Sequence, residues 1–212
     1  LATVRAGEYE GLREKLARPE WKPDFGPSEF ASRSGATAVG ARDFLVAYNV
    51  NLNSTSTRRA NAIAFDVREK GRVKTEDGTP TGKPVLDEKG DKVWVPGSLK
   101  AVKAIGWFIE EYGVAQISIN LTNYKVTHPA DALEAARELA MERGIVITGY
   151  EIVGVVPYEA MEQAGDFYLR RMQKSTGIPA RDKVTTAVQA MGLRDVAEFD
   201  IDKKVIGMPT AH

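Results

Sequence analysis

The apolar residues between Phe44 and Val156 switch between a period of two and a period of 3.6, in an order that few folds accommodate. Phe44 to Leu52 reads as a half-buried strand with Phe44, Val46, Tyr48 and Val50 on one face. Ser54 to Thr57 then offer N-cap side chains, and Ala60, Ile63, Ala64 and Val67 recur at helical spacing before Gly71 stops the pattern. Val102 to Ile109 and Val114 to Leu121 flank Glu110–Gly113. In the second run Ala115, Ile117, Ile119 and Leu121 alternate with Gln116, Ser118 and Asn120, so the pair reads as a hairpin. Thr127 to Arg143 predicts a second helix, with Pro129 in its first turn and Gly144 as its stop. Ile145 to Val156 supplies a closing strand, ended by Pro157. The order β-α-β-β-α-β predicts an α+β, ferredoxin-like sandwich: a four-stranded antiparallel sheet with helices on one face. Extra C-terminal helices are expected near Tyr158–Met172 and Arg181–Met191. Residues 72–98 carry Asp77-Gly78, Thr81-Gly82 and Lys89-Gly90-Asp91 between short apolar patches, and read as an inserted β-ribbon or loop.

Ahead of this block the pattern differs. A short helix is expected from Tyr9 to Ala17, and Pro19, Pro23, Pro27 and the glycines at 26, 35 and 40 then predict loop over most of 19–42. Leu1 leads at once into a polar run, which suggests that the chain begins inside something longer. The 212 residues suffice for a core, and 29 basic against 29 acidic residues give no net field to recruit nucleic acid or an anionic membrane, so neither is expected as a partner. The absence of cysteine excludes disulfides and thiolate chemistry and fits a reducing compartment, and no leader or apolar span is visible, so a cytoplasmic location is expected.

The common nucleotide, hydrolase and zinc signatures do not occur, and no metal site is expected. Of the two histidines, His212 is the last residue and His128 sits at a helix start, where capping is expected rather than catalysis. No catalytic residue is assigned. The segment Lys22 to Arg42 is more informative. It mixes glycines, hydroxyls, two phenylalanines and two arginines, suited either to a flat, multiply hydrogen-bonding ligand with an anionic end or to a plain linker. Asn49, Asn51 and Asn53 place three amides at one strand end, facing either a polar pocket or solvent. Trp107-Phe108 and Phe167-Tyr168 are expected in the core, since no RNA-binding aromatic run accompanies them.

Six blocks together carry a resemblance. They are Arg5-Ala-Gly-Glu-Tyr-Glu10, Pro23-Asp-Phe-Gly-Pro27, Gly35-Ala-Thr-Ala-Val-Gly-Ala-Arg42, Phe44-Leu-Val-Ala-Tyr-Asn-Val-Asn-Leu52, Ile105-Gly-Trp-Phe-Ile109 and Ala115-Gln-Ile-Ser-Ile-Asn-Leu-Thr122. In this order they resemble glutamate formimidoyltransferase, the formiminotransferase domain also found in formiminotransferase-cyclodeaminase. The resemblance implies a transferase that moves the formimino group of N-formimino-L-glutamate to N5 of tetrahydrofolate, in histidine degradation and one-carbon metabolism. Tetrahydrofolate is then a co-substrate, no metal is implied, and family habit suggests a homodimer. The family has two α/β subdomains with folate held between them. By that reading, residues 1–42 are the tail of the N-terminal subdomain plus a folate-binding crossover loop, and 43–212 are the C-terminal subdomain.

The implied folate-contacting residues are Gly26, Pro27, Ser28, Glu29, Phe30, Ala31, Ser32, Arg33, Ser34 and Gly35, with Arg42 as a further carboxylate partner. Relatives often carry an aromatic where Ser34 stands. The family's opening Pro-Asn-Phe-Ser-Glu-Gly-type block and its acid/base histidine have no counterpart here, and His128 does not match that motif. The chain is therefore expected to lack the catalytic half, and a missing N-terminal subdomain is a possible partner. The alternatives are a folate-binding or regulatory module without turnover and, more weakly, an RNA-binding domain of the same fold.

Overall fold

Proline and left-handed glycine keep the first forty residues from condensing into long elements. The computed structural model describes residues 2–209, and the chain divides into two units, Leu1–Asp43 and Phe44–His212. In the first unit, α1 (Ala2–Arg5) and α2 (Leu12–Leu16) are followed by a single 3-10 turn at Pro19–Trp21. The helix expected from Tyr9 therefore starts three residues later. Gly7 and Glu8 take positive φ of 85° and 46°, and Gly11 donates to the Gly7 carbonyl at 2.7 Å, so residues 7–11 form a turn before α2 begins. From Lys22 to Asp43 no regular element forms, as the prolines dictate.

The second unit opens with β1 (Val46–Leu52) and α3 (Thr57–Val67), whose N-cap Ser56 accepts from the Arg59 amide. The ribbon β2 (Arg72–Val73) and β3 (Trp94–Val95) pair antiparallel, with bridges at Thr75–Pro84 and Leu86–Lys92, so 72–98 is a β-ribbon. The hairpin β4 (Val102–Ile109) and β5 (Val114–Leu121) leads to α4 (Pro129–Met141) and β6 (Ile147–Val153). The sheet order is β4-β5-β1-β6, every pair antiparallel, as the β-α-β-β-α-β order predicts. Beyond it lie β7 (Val156–Pro157), α5 (Tyr158–Arg171), α6 (Ala180–Ala190), α7 (Ile201–Lys204) and β8 (Val205–Ile206), which pairs parallel with β7. The last helix and strand are too short to leave a periodic signal.

The register places Val46, Tyr48, Val50 and Leu52 beside Ile117, Ile119, Leu121, Val102, Ala104, Tyr150 and Ile152 on one face. These side chains are buried with Ile63, Ala64 and Val67 of α3 and Leu133, Ala136 and Ala140 of α4. Each large aliphatic side chain so removed from water contributes roughly 1.5–3 kcal/mol. Gly106 lets α3 approach: a Cβ there would run into Ala60 and Asn61, and instead the Asn61 amide takes both backbone groups of Gly106, at 2.9 and 3.2 Å.

Three expectations are corrected at the strand ends. Phe44 lies outside β1 and is 59% exposed, because the strand begins only where β5 and β6 offer partners. Trp107 and Phe108 are each 42% exposed, since Trp107 stands on the opposite face from the helices and Phe108 near the hairpin end. Asn53 falls beyond a register shift at Asn51/Leu52 and leaves the strand. Its side chain and amide instead clasp Val146.

Candidate functional site

Two regions concentrate polar chemistry, one in each unit. In the first, Gly26 and Gly35 take positive φ of 86° and 62° and bracket the loop that the resemblance implicates. The Tyr9 hydroxyl donates to the Ser32 carbonyl at 2.7 Å, and its ring packs on Phe30, 5.6 Å between centroids. The Arg13 guanidinium covers the same Phe30 ring at 4.8 Å. Gly35 closes the loop by donating to the Ala31 carbonyl at 2.8 Å. The loop is thus tied to the α2 region, while Pro27, Ser28, Glu29, Ala31, Ser32, Arg33 and Ser34 remain exposed. Arg42 is also exposed, and among the described residues its guanidinium reaches only the Asp43 carbonyl, at 3.5 Å.

In the second unit, the sheet face turned away from α3 and α4 carries a hydrogen-bonded ladder across all four strands. Asn49 of β1 stands opposite Glu151 of β6 and donates to its Oε1 at 2.8 Å. Gln116 of β5 donates to Asn51 Oδ1 at 2.6 Å and to the same Glu151 oxygen at 3.4 Å, and accepts from Trp107 Nε1 of β4 at 3.0 Å. Asn49, Asn51 and Gln116 are 6%, 6% and 0% exposed, so these amides need the partners they have. Tyr112, from the β4–β5 turn, faces Glu151, whose negative charge pushes the phenol above its ordinary value. The sequence signalled Asn49 and Asn51 by alternation. Gln116, Trp107 and Glu151 join them only through strand pairing, which no single stretch displays.

His128 is the N-cap of α4. Its backbone N–H donates to Asp131 of the first turn at 3.4 Å, and its ring Nδ1–H donates to the Tyr124 carbonyl at 2.8 Å. His212 lies outside the described residues. A further ionic cluster escaped sequence reasoning: Lys183 of α6 reaches Glu162 at 2.9 Å and Asp166 at 3.2 Å, both on α5. Among the described residues no group of three or more His, Asp or Glu converges to hold a metal ion, and no helix is long and apolar enough to cross a membrane.

Residues 47–209 match the model of the formiminotransferase domain, and residues 1–42 that of its N-terminal subdomain. The chain belongs to the formiminotransferase domain family. A formimidoyltransferase-cyclodeaminase of Dictyostelium discoideum is 41% identical over 97% of the chain, and that of Mus musculus 39% over the same share. The aligned stretch is 34% of each relative's length. A glutamate formimidoyltransferase of Thermoplasma acidophilum is 36% identical over 77% of the chain and 45% of its own length. The chain therefore spans between about a third and a half of these relatives. The loop over 26–35 lies within the segment matched by the N-terminal subdomain model, and the amide ladder within that matched by the larger domain model.

Proposed function

We propose that this chain is part of a glutamate formimidoyltransferase, moving the formimino group from N-formimino-L-glutamate to N5 of tetrahydrofolate in histidine degradation and one-carbon metabolism. The observation that carries the reading is the consecutive match of 1–42 and 47–209 to the two parts of one domain family, with relatives named for this transfer. Tetrahydrofolate enters as co-substrate, and a cytoplasmic homodimer is the form we infer, from the cysteine-free composition and the edge strands of the sheet.

The chemistry sets what the site must do. N5 attacks the amidine carbon to form a tetrahedral adduct, the bond from that carbon to the glutamate nitrogen breaks, and a proton passes to the departing nitrogen. Holding two substrates in line supplies much of the acceleration. We assign to folate binding Gly26–Gly35 and Arg42. The exposed guanidinium groups of Arg33 and Arg42 suit glutamyl carboxylates, which they can grip through paired N–H donors. No residue of this chain is assigned the proton-transfer role.

The test is formimino transfer by the purified protein, followed with tetrahydrofolate and formiminoglutamate together and with each alone. Transfer that needs both substrates supports the reading. Because the chain is expected to lack the catalytic half, the assay is repeated with the family's N-terminal subdomain supplied: folate binding without transfer even then favours a binding module, and neither binding nor transfer then overturns the reading.

A further inference from the structure

Glu151 stands out on the amide ladder. It is the only carboxylate hydrogen-bonded into the ladder among the described residues, and among them no Lys or Arg forms an ion pair with it. Both amide donors, from Asn49 and Gln116, reach the same oxygen, Oε1, and neither reaches Oε2. The side chain is held by these two bonds and by strand pairing, with the Tyr112 hydroxyl facing the same carboxylate from the β4–β5 turn, yet it is only partly buried. Such an arrangement anchors Oε1 on the two amides and places a carboxylate whose charge both oxygens share beside Tyr112, on a face that α3 and α4 leave uncovered.

A fixed carboxylate with amides on one side and no cation selects a group that brings its own N–H donors. The best match is an N–C–N unit, two N–H groups on one carbon: one N–H takes Oε2, and the second meets Oε1 in place of the long 3.4 Å bond from Gln116, so that the unit lies edge-on to the carboxylate. Under the function proposed above, on which this inference rests, both substrates carry that unit. Formiminoglutamate has it in its formimino amidine, and tetrahydrofolate in the 2-amino-4-oxo edge of its pterin. Trp107 and Tyr112, beside the ladder and each more than two-fifths exposed, offer flat faces next to the same carboxylate.

We propose that Glu151, oriented by Asn49 and Gln116, is a substrate-binding and specificity-determining residue that grips an N–C–N donor edge. The Asn49 and Gln116 amides act as positioning residues.

Glu151→Gln tests this, because the carbonyl of the new side chain still accepts from Asn49 and Gln116 while the charge is lost; an unchanged thermal midpoint verifies the fold. With the N-terminal subdomain supplied where the chain alone does not turn over, the expected result is a KM raised about tenfold or more for one substrate, with kcat within about twofold, since a charge-assisted pair is lost. The substrate affected identifies which N–C–N edge is bound. Glu151→Asp, which keeps the charge, recovers part of the loss, an effect that a purely structural role for Glu151 does not produce. If the native protein is active and Glu151→Gln changes neither KM, the assignment of Glu151 falls while the transferase reading stands. If the native protein, with that subdomain supplied, neither binds nor turns over either substrate, both fall together.

Discussion

The Asn49 amide on β1 and the Glu151 carboxylate on β6 face each other across one strand pair, 2.8 Å apart, with Gln116 of β5 donating to the same oxygen at 3.4 Å from the same side of the sheet. Because Asn49 is 6% exposed, its donor has few alternatives in water. Asn49→Leu is close in size but leaves the carboxylate short of a donor, and we expect a loss of roughly 1–3 kcal/mol in urea unfolding. Asn49→Asp is more damaging at neutral pH, since two carboxylates then meet at hydrogen-bonding distance. Its deficit shrinks on acidification, when one of them takes up a proton. A deficit independent of pH would show that the contact contributes nothing through charge.

Two glycines of the hairpin separate steric need from conformational need. At Gly106 a Cβ would meet the Ala60 and Asn61 backbone, so Gly106→Ala forces α3 away from β4, at a cost of roughly 1–3 kcal/mol. Gly113 has nothing within 4 Å of such a Cβ but takes φ of 62°, so Gly113→Ala costs about 1 kcal/mol through backbone strain alone. Thermal denaturation of the two variants ranks them, and the reverse order would contradict the packing described for Gly106.

Tyr9 ties the loop over 26–35 to its own unit through the Ser32 carbonyl. It is half exposed, so Tyr9→Phe should cost little global stability, about 0.5–1 kcal/mol at most. The loop itself is released: limited proteolysis between Lys22 and Arg42 should accelerate several-fold, and folate affinity should fall if the loop binds folate. Unchanged cleavage would mean that the prolines alone hold its shape.

How much of this was legible in advance follows from where each signal lives. Alternation in Ala115–Leu121 and the helical spacing of Ala60, Ile63, Ala64 and Val67 are local, and they led to the correct sheet and to the helices that cover it. Phe44 and Trp107 misled because an apolar side chain carries the same pattern whether its face is buried or exposed; only partner strands decide. The ladder is non-local: Asn49 and Glu151 are 102 residues apart, and their pairing exists only once β6 returns beside β1. Lys183 likewise reads as a surface charge on α6 until Gly165, where a Cβ would meet the Lys183 backbone, lets α5 draw close.

That contact yields the last prediction. Lys183 is 14% exposed and bridges Glu162 and Asp166, with side chains 34% and 20% exposed. Lys183→Met keeps the stem but removes the cation between the two carboxylates, leaving Asp166 with the more exposed Arg170 at 3.7 Å and Glu162 with no basic partner among the described residues. Breaking a buried pair costs about 3–5 kcal/mol, and the partial exposure of Glu162 brings the expected loss nearer to 1–3 kcal/mol. The hydrogen bond from Lys183 holds the Glu162 carboxyl below its ordinary 4.5. A carboxyl depressed on folding stabilises the protein above its unfolded value, and that contribution disappears as the pH falls through the folded value. The Lys183 ammonium is raised above its ordinary 10.5, chiefly by the bond to Glu162, so its contribution is complete below that value and is lost as the pH rises through the higher, folded one. Urea midpoints of the native chain and of Lys183→Met should therefore differ most at neutral pH and converge below about pH 4.5, where protonation also relieves the repulsion left in the variant. A gap that stays constant into acid would assign the cost to lost packing of the lysine stem instead of its charge.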